Sequence, residues 1–174
     1  VLNVYYKLIE RTLTITATSD EITGISATSN QFGFAGAFAE GVYTATVKYG
    51  ANVTLSAVVN EGYDLGVWKV LSGGVTISTN SFTMGAQNVV IEVGVTPKEY
   101  TLTFDGDGGT YNDGESDVST PYTQTFEYLE VKALAPNRYE KEGYSFAGWL
   151  IDGETYTDGE SFAYNYTNNL TAVA

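Results

Sequence analysis

The 174 residues include 8 Lys and Arg against 21 Asp and Glu, a net charge of −13, with 43% hydrophobic residues, 14 Tyr, 19 Gly, no His and no Cys. A chain this acidic repels nucleic acid and anionic membrane surfaces, so neither is expected as a partner, and without Cys it has neither a disulfide framework nor a zinc–thiolate site. The hydrophobic fraction suits one large core or two small ones, and no run reaches the ~18 apolar residues of a membrane-spanning helix, so no membrane insertion is expected within these residues.

In chain order, the first feature is a duplicated boundary. The stretch "LNVYYKLIERTLTI" (2–15) parallels "IEVGVTPKEYTLTF" (91–104) in its apolar alternation. Residues 1–7 are therefore expected to be the last strand of a preceding repeat or a linker. One repeat is expected over 8–97 and another over 98–174, joined by a short link near "TPKE". Charge is uneven between them: four basic and seven acidic residues up to Pro97 give −3, and four and fourteen beyond it give −10.

Period-2 alternation, the mark of a half-buried strand, recurs along both repeats. Leu13, Ile15 and Ala17 alternate with Thr14 and Thr16, and Val53, Leu55 and Ala57 follow the same rule. So do Val89, Ile91 and Val93, and then Tyr100, Leu102 and Phe104 against Thr101 and Thr103. Turn clusters such as "NEG", "LSGG" and "DGDGG" separate them. Only "QFGFAGAFAE" (31–40), which contains two glycines, and a short turn in "EVKALAP" before Pro136 have helical character. The pattern predicts a mostly β chain with little helix.

Both tryptophans end nearly the same octapeptide, "EGYDLGVW" at Trp68 and "EGYSFAGW" at Trp149. Gly62 and Gly143 permit a sharp turn into a strand. Strict alternation then sets Tyr63, Leu65 and Val67 against Trp68, and Tyr144, Phe146 and Gly148 against Trp149. A strand with large aromatics on both faces is central or bulged at its end. A unit of about 80 residues has a small core, and one indole burying ~150–250 Å² supplies much of its driving force. Each Trp is accordingly expected to be the packing centre of its repeat. The rival reading is an exposed aromatic platform for sugars, with Tyr111, Tyr122, Tyr139, Tyr156, Tyr164 and Tyr166 as candidates for an outer sheet face.

These blocks carry a family resemblance. "YTLTFDGDGGTY" (100–111), "YLEVKALAPNRYEKEGYSFAGWLIDGETY" (128–156) and "NLTAVA" (169–174) together resemble the Listeria–Bacteroides repeat, the internalin B-repeat, over nearly all of residues 99–174. Residues 42–95, with "GYDLGVW" and "SFTMGAQNVVIEV", resemble a divergent internalin B-type repeat. Asp107 stands where the family favours Asn, the first repeat has "SDEITGIS" in place of the NGGT element, and the last strand ends at Ala174 before the family's closing aromatic. The resemblance implies tandem small β-grasp-like domains on secreted or wall-attached bacterial proteins. Such repeats are non-catalytic spacers or adhesion modules, whose partners would be neighbouring repeats and a host or cell-wall protein or glycan.

Other chemistry finds little material. Tested as an EF-hand from Asp105, the loop has Gly109 at ligand position 5, Thr110 where glycine is required and Ser116 where a bidentate Glu is required. Solvated turn charges are the reading of Asp152, Glu154, Asp158 and Glu160. Nucleophile–base pairs that need His or Cys are absent, and a Lys–Asn crosslink at Lys48 or Lys132, in matching strand contexts, is not expected because parity points both lysines to solvent. No catalytic, metal or cofactor residues are assigned. The singled-out residues are the motif positions Gly62, Tyr63, Trp68, Gly143, Tyr144, Phe146 and Trp149. A carbohydrate-binding module, or an accessory domain of a larger surface enzyme, is the alternative function.

Overall fold

A computed structural model describes residues 5–174. All regular secondary structure among them is β-strand, and the chain divides into two compact units, Val1–Thr96 and Pro97–Ala174. Each unit has its own buried hydrophobic cluster.

Unit 1 is built from β1 (Glu10–Ala17), β2 (Ile22–Ser29), β3 (Gly36–Ala39), β4 (Val42–Lys48), β5 (Asn52–Val59), β6 (Tyr63–Leu65), β7 (Lys69–Ser72), β8 (Ser81–Thr83), β9 (Val89–Val93) and β10 (Val95–Pro97). Its main sheet has the order β3-β4-β1-β9-β7, beside a three-stranded β2-β5-β8 and a pair β10-β6. Unit 2 contains β11 (Glu99–Asp105), β12 (Tyr111–Asn112), β13 (Asp117–Val118), β14 (Tyr122–Glu127), β15 (Val131–Ala133), β16 (Trp149–Ile151), β17 (Glu154–Tyr156), β18 (Ser161–Ala163) and β19 (Leu170–Val173). There the main sheet runs β14-β11-β19-β16-β17, with pairs β12-β13 and β15-β18.

The two main sheets share four strands of their plan, β4-β1-β9-β7 matching β14-β11-β19-β16, while the fifth strand, β3 or β17, lies on opposite edges. The first strand of each pairs antiparallel with β4 or β14 and parallel with the last strand, β9 or β19. Alternation explains the faces: Leu13 and Ile15 in β1, and Leu102 and Phe104 in β11, are fully buried. Between them, threonines point to the open side and pair across strands, Thr14 with Thr44 and Thr103 with Thr123.

Hydrogen bonds repeat with the plan. The Gly50 and Leu129 N–H groups donate to Met84 O and Tyr164 O, each at 2.8 Å. Met84 and Tyr164 N–H return bonds to Ala51 O and Glu130 O, each at 2.9 Å. Asn88 Oδ1 accepts from Thr12 N–H at 3.0 Å, and Asn169 Oδ1 accepts from Thr101 N–H at 2.9 Å.

Several details differ from the sequence reading. Residues 31–40 form no helix: Gly33 turns with φ 71°, the Gln31 side chain caps Lys48 N–H at 2.7 Å, and Gly36–Ala39 pairs with β4, setting Phe38 opposite Tyr43. "EVKALAP" carries β15, held by Phe162 opposite Lys132. The octapeptides are not single strands. In unit 1 only Tyr63–Leu65 is extended in a sheet, and in unit 2 the strand begins at Trp149. Gly148 precedes that strand at φ 156°, a backbone conformation that L side chains rarely adopt, and a Cβ there would lie 2.6 Å from Tyr156 O. Each Trp thus stands at or just before the next strand, and the alternation counted from Tyr does not reach it. Of residues 1–7, expected as a last strand or a linker, Val1–Val4 lie outside the described residues, and Tyr5–Lys7, which belong to no strand, leave the linker reading open.

Where unit 1 has Gly50 at φ 78°, unit 2 has Leu129 at φ 64°, a left-handed conformation that costs an L-residue about 1–2 kcal/mol. Its side chain is 51% exposed, so little packing is at stake. Leu129→Gly should therefore raise the stability of unit 2 by up to about 1 kcal/mol, read from its chemical unfolding midpoint.

Candidate functional site

The octapeptide of unit 2 lines a concavity of about 640 Å³, together with the Gly106–Asp107 turn, Thr110, residues 139–142 and Ala174. The "DGDGG" loop is shaped by an aromatic neighbour. A Cβ at Gly106 would stand 2.3 Å from the Tyr139 ring, so the ring occupies the space that a side chain would need. The Tyr139 hydroxyl lies 2.8 Å from Phe104 O and 3.2 Å from Thr120 O. Reciprocal backbone bonds between Thr110 and Glu140, at 2.9 and 2.8 Å, fasten the loop to the rim. Lys141 Nζ donates to Asp107 O at 2.5 Å, approaches Asp107 Oδ2 at 3.3 Å, and stands 5.0 Å from the Tyr144 ring centroid. This ion pair is open to solvent and orients the rim more than it stabilises it.

The motif residues separate into two roles. Trp149 is fully buried, in edge-to-face contact with Phe104 and Phe146 at 4.9 Å and with Tyr139 at 6.3 Å. Trp68 is 9% exposed in the unit 1 core. Gly62 and Gly143 turn the chain at φ 88° and 79°. Tyr63 and Phe146 are half-buried, whereas Tyr144 is 75% exposed at the concavity. The indole nitrogens differ: Trp68 Nε1 donates to Asn80 Oδ1 at 3.1 Å, while Trp149 Nε1 has no hydrogen-bond partner among the described residues. At the position of Asn80 unit 2 has Glu160, whose carboxylate instead accepts from Thr157 N–H and Oγ1.

The tyrosines proposed for an outer face lie inward. Tyr122, Tyr139 and Tyr164 are core residues, and Tyr111, Tyr156 and Tyr166 pack against the same cluster. Burial pushes the Tyr122 phenol up to about 12, with the neighbouring Tyr139 adding to the shift, and it raises Tyr139 and Tyr164 as well. The acidic loop is committed to turns. Asp105 Oδ1 accepts from Asp107 N–H at 3.0 Å, and Asp113 Oδ1 accepts from Glu115 and Ser116 N–H, each at 3.0 Å. The Ser116 and Glu115 bonds hold the Asp113 carboxyl below its ordinary range. Among the described residues no group of three or more acidic side chains converges in a way that could hold a metal ion.

Lys48 and Lys132 do not occupy matching positions. Val53, not Lys48, pairs with Phe82 as Lys132 pairs with Phe162. Lys132 Nζ meets Thr125 O and Glu130 Oε2 and stands 4.5 Å from the Phe126 ring centroid.

Two all-strand units with one hydrogen-bond frame and separate cores define a tandem β-repeat protein. The chain belongs to the divergent InlB B-repeat domain family, whose model matches residues 35–126. The Listeria-Bacteroides repeat domain matches residues 100–174. Repeats of both families are typical of bacterial surface proteins. The two matches overlap over 100–126, so the first spans unit 1 from residue 35 onward and the first strands of unit 2. No curated protein and no solved structure matches the chain.

Two measurements follow from this packing. Trp149→Ala should cost unit 2 roughly 3–5 kcal/mol by equilibrium unfolding, as for other buried aromatic truncations. Trp68→Phe should cost more than Trp149→Phe, by about 1 kcal/mol, since only Trp68 loses a hydrogen bond. The raised phenol values also fix a pH dependence. The folded state favours the protonated phenols, so their contribution is complete below pH ~10 and is lost as pH rises from ~10 towards the folded value. Alkaline titration by ultraviolet phenolate absorbance should show a late group near pH 12, accompanied by unfolding of unit 2.

Proposed function

We propose that this chain is a non-catalytic pair of repeats from a secreted or surface-attached bacterial protein, serving as spacer and protein-interaction module in adhesion. The observation that carries this reading is the reuse of one backbone frame with different side chains. Ile15 and Met84 in unit 1 stand where Phe104 and Tyr164 stand in unit 2, while the four-strand order β4-β1-β9-β7 recurs as β14-β11-β19-β16. A frame kept through such core changes suits a module selected for its shape and its ability to be repeated. The first and last strands lying parallel at the centre of each main sheet support the β-grasp-like reading of the units.

A host or cell-wall component is the partner class, and neighbouring repeats are the second. A glycan-binding reading keeps one observation in its favour, the exposed Tyr144 ring with Lys141 beside it. Antibodies raised against the chain should label intact producing cells or their culture medium, and external protease should remove the cell-bound signal. Label found only after cell lysis would overturn the surface reading. On a glycan array, specific binding abolished by Tyr144→Ala would move the function to sugar recognition.

A further inference from the structure

The concavity of unit 2 has a counterpart in unit 1 that is covered by a strand. In unit 1 the chain leaves β9 at Val93, and Val95–Pro97 then pairs as β10 with β6, inside the octapeptide. The approach begins at Gly94, whose carbonyl accepts from Gly66 N–H at 2.9 Å. Val95 and Leu65 both pack on the unit 1 core.

Strand registers locate the same step in unit 2. β1 meets β9 through Leu13–Val89 and Ile15–Ile91, and β11 meets β19 through Leu102–Leu170 and Phe104–Ala172. Ala174 therefore takes the place of Val93, and the counterpart of Gly94 is the position that follows it. The counterpart of Gly66 is Ala147, which lines the concavity with Tyr144, Ser145, Phe146 and Ala174. No backbone partner for the Ala147 N–H occurs among the described residues. Tyr144–Phe146 forms no strand, and Tyr144 is exposed where Tyr63 is half-buried. An open groove, an unpaired segment, an uncovered ring and an unpartnered N–H thus coincide where unit 1 has β10.

We propose that this concavity is a strand-acceptor groove, which takes an extended segment of the Gly94–Pro97 kind running on from Ala174 and pairs it with Tyr144–Phe146. Main-chain hydrogen bonds hold such an added strand, and the alternate side chain supplies the fit. Attachment through Ala174 keeps the segment at high effective concentration, so a short strand suffices. The charges agree. The Gly94–Lys98 stretch bears a lysine and no acid, and the groove is lined by three acids, Asp107, Glu140 and Glu142, against one lysine, Lys141. A Cβ at Gly66 would stand 3.0 Å from Gly94 O, so with Ala147 the incoming carbonyl sits a few tenths of an ångström further out than in unit 1.

The test compares the 174-residue chain with the same chain extended after Ala174 by Gly-Val-Thr-Pro-Lys. Amide hydrogen exchange at Ser145–Ala147 should slow by about tenfold or more in the extended chain, and Tyr144 should become less reactive to surface iodination. An extension of Gly-Gly-Ser-Gly-Ser should do neither, and Ala147→Leu in the extended chain should abolish the slowing. Equal exchange with and without the Gly-Val-Thr-Pro-Lys segment would overturn the assignment. So would slowing in the unextended chain that grows with protein concentration, which would show that Tyr5–Lys7 of a second copy fills the groove.

Discussion

Each unit depends on the parallel pairing of its first strand with its last, at the centre of the main sheet. β1 with β9, and β11 with β19, bring together residues about seventy positions apart, and both flanking strands in each sheet add to that pair. Parallel ladders close only after a long stretch of chain has been ordered. The core residues on the pair, Ile15 with Ile91 and Phe104 with Ala172, are fully buried. Their volumes compensate across the repeat, two branched aliphatic side chains in one unit and a large ring opposite a methyl in the other. Volume-conserving exchange of this kind keeps a core packed while its composition changes.

Around that constraint the units diverge in how they fill space. Unit 1 is mainly aliphatic, and its indole donates a hydrogen bond to Asn80 Oδ1. Unit 2 packs rings on rings, with Phe104 stacked on Tyr122 at 4.8 Å and Phe126 on Tyr164 at 5.1 Å. Its tyrosines reach backbone carbonyls from inside the core, as Tyr122 does to Pro136 O at 2.9 Å and Tyr164 to Asn168 O at 2.9 Å. Buried phenols with partners fix the loops that they touch. The cost in unit 2 is the unpartnered Trp149 nitrogen, since Glu160 closes a local turn instead.

Much of the strand plan was legible in the sequence because alternation reports directly on burial: Leu13, Ile15, Leu102 and Phe104 all face inward. Apolar density misled where it was not periodic. Residues 31–40 look helical by composition, yet Gly33 and the pairing of Phe38 with Tyr43 make a turn and an edge strand. The position of each Trp was legible as a shared motif, but its setting was not, because Gly148 interrupts the alternation between Tyr144 and Trp149. The concavity was out of reach altogether. It joins segments that are separated along the chain, and the residue pattern holds no sign that Asp107, Tyr139, Lys141 and Ala174 meet.

The parallel central pair also sets how a unit bears tension. The start of β1 and the end of β9 lie at opposite ends of two strands running the same way, as do the start of β11 and the end of β19. A pull on the two ends of a unit therefore loads the ladder along its length, and its hydrogen bonds share the force together instead of parting one by one. Such a linkage stretches little until it yields all at once.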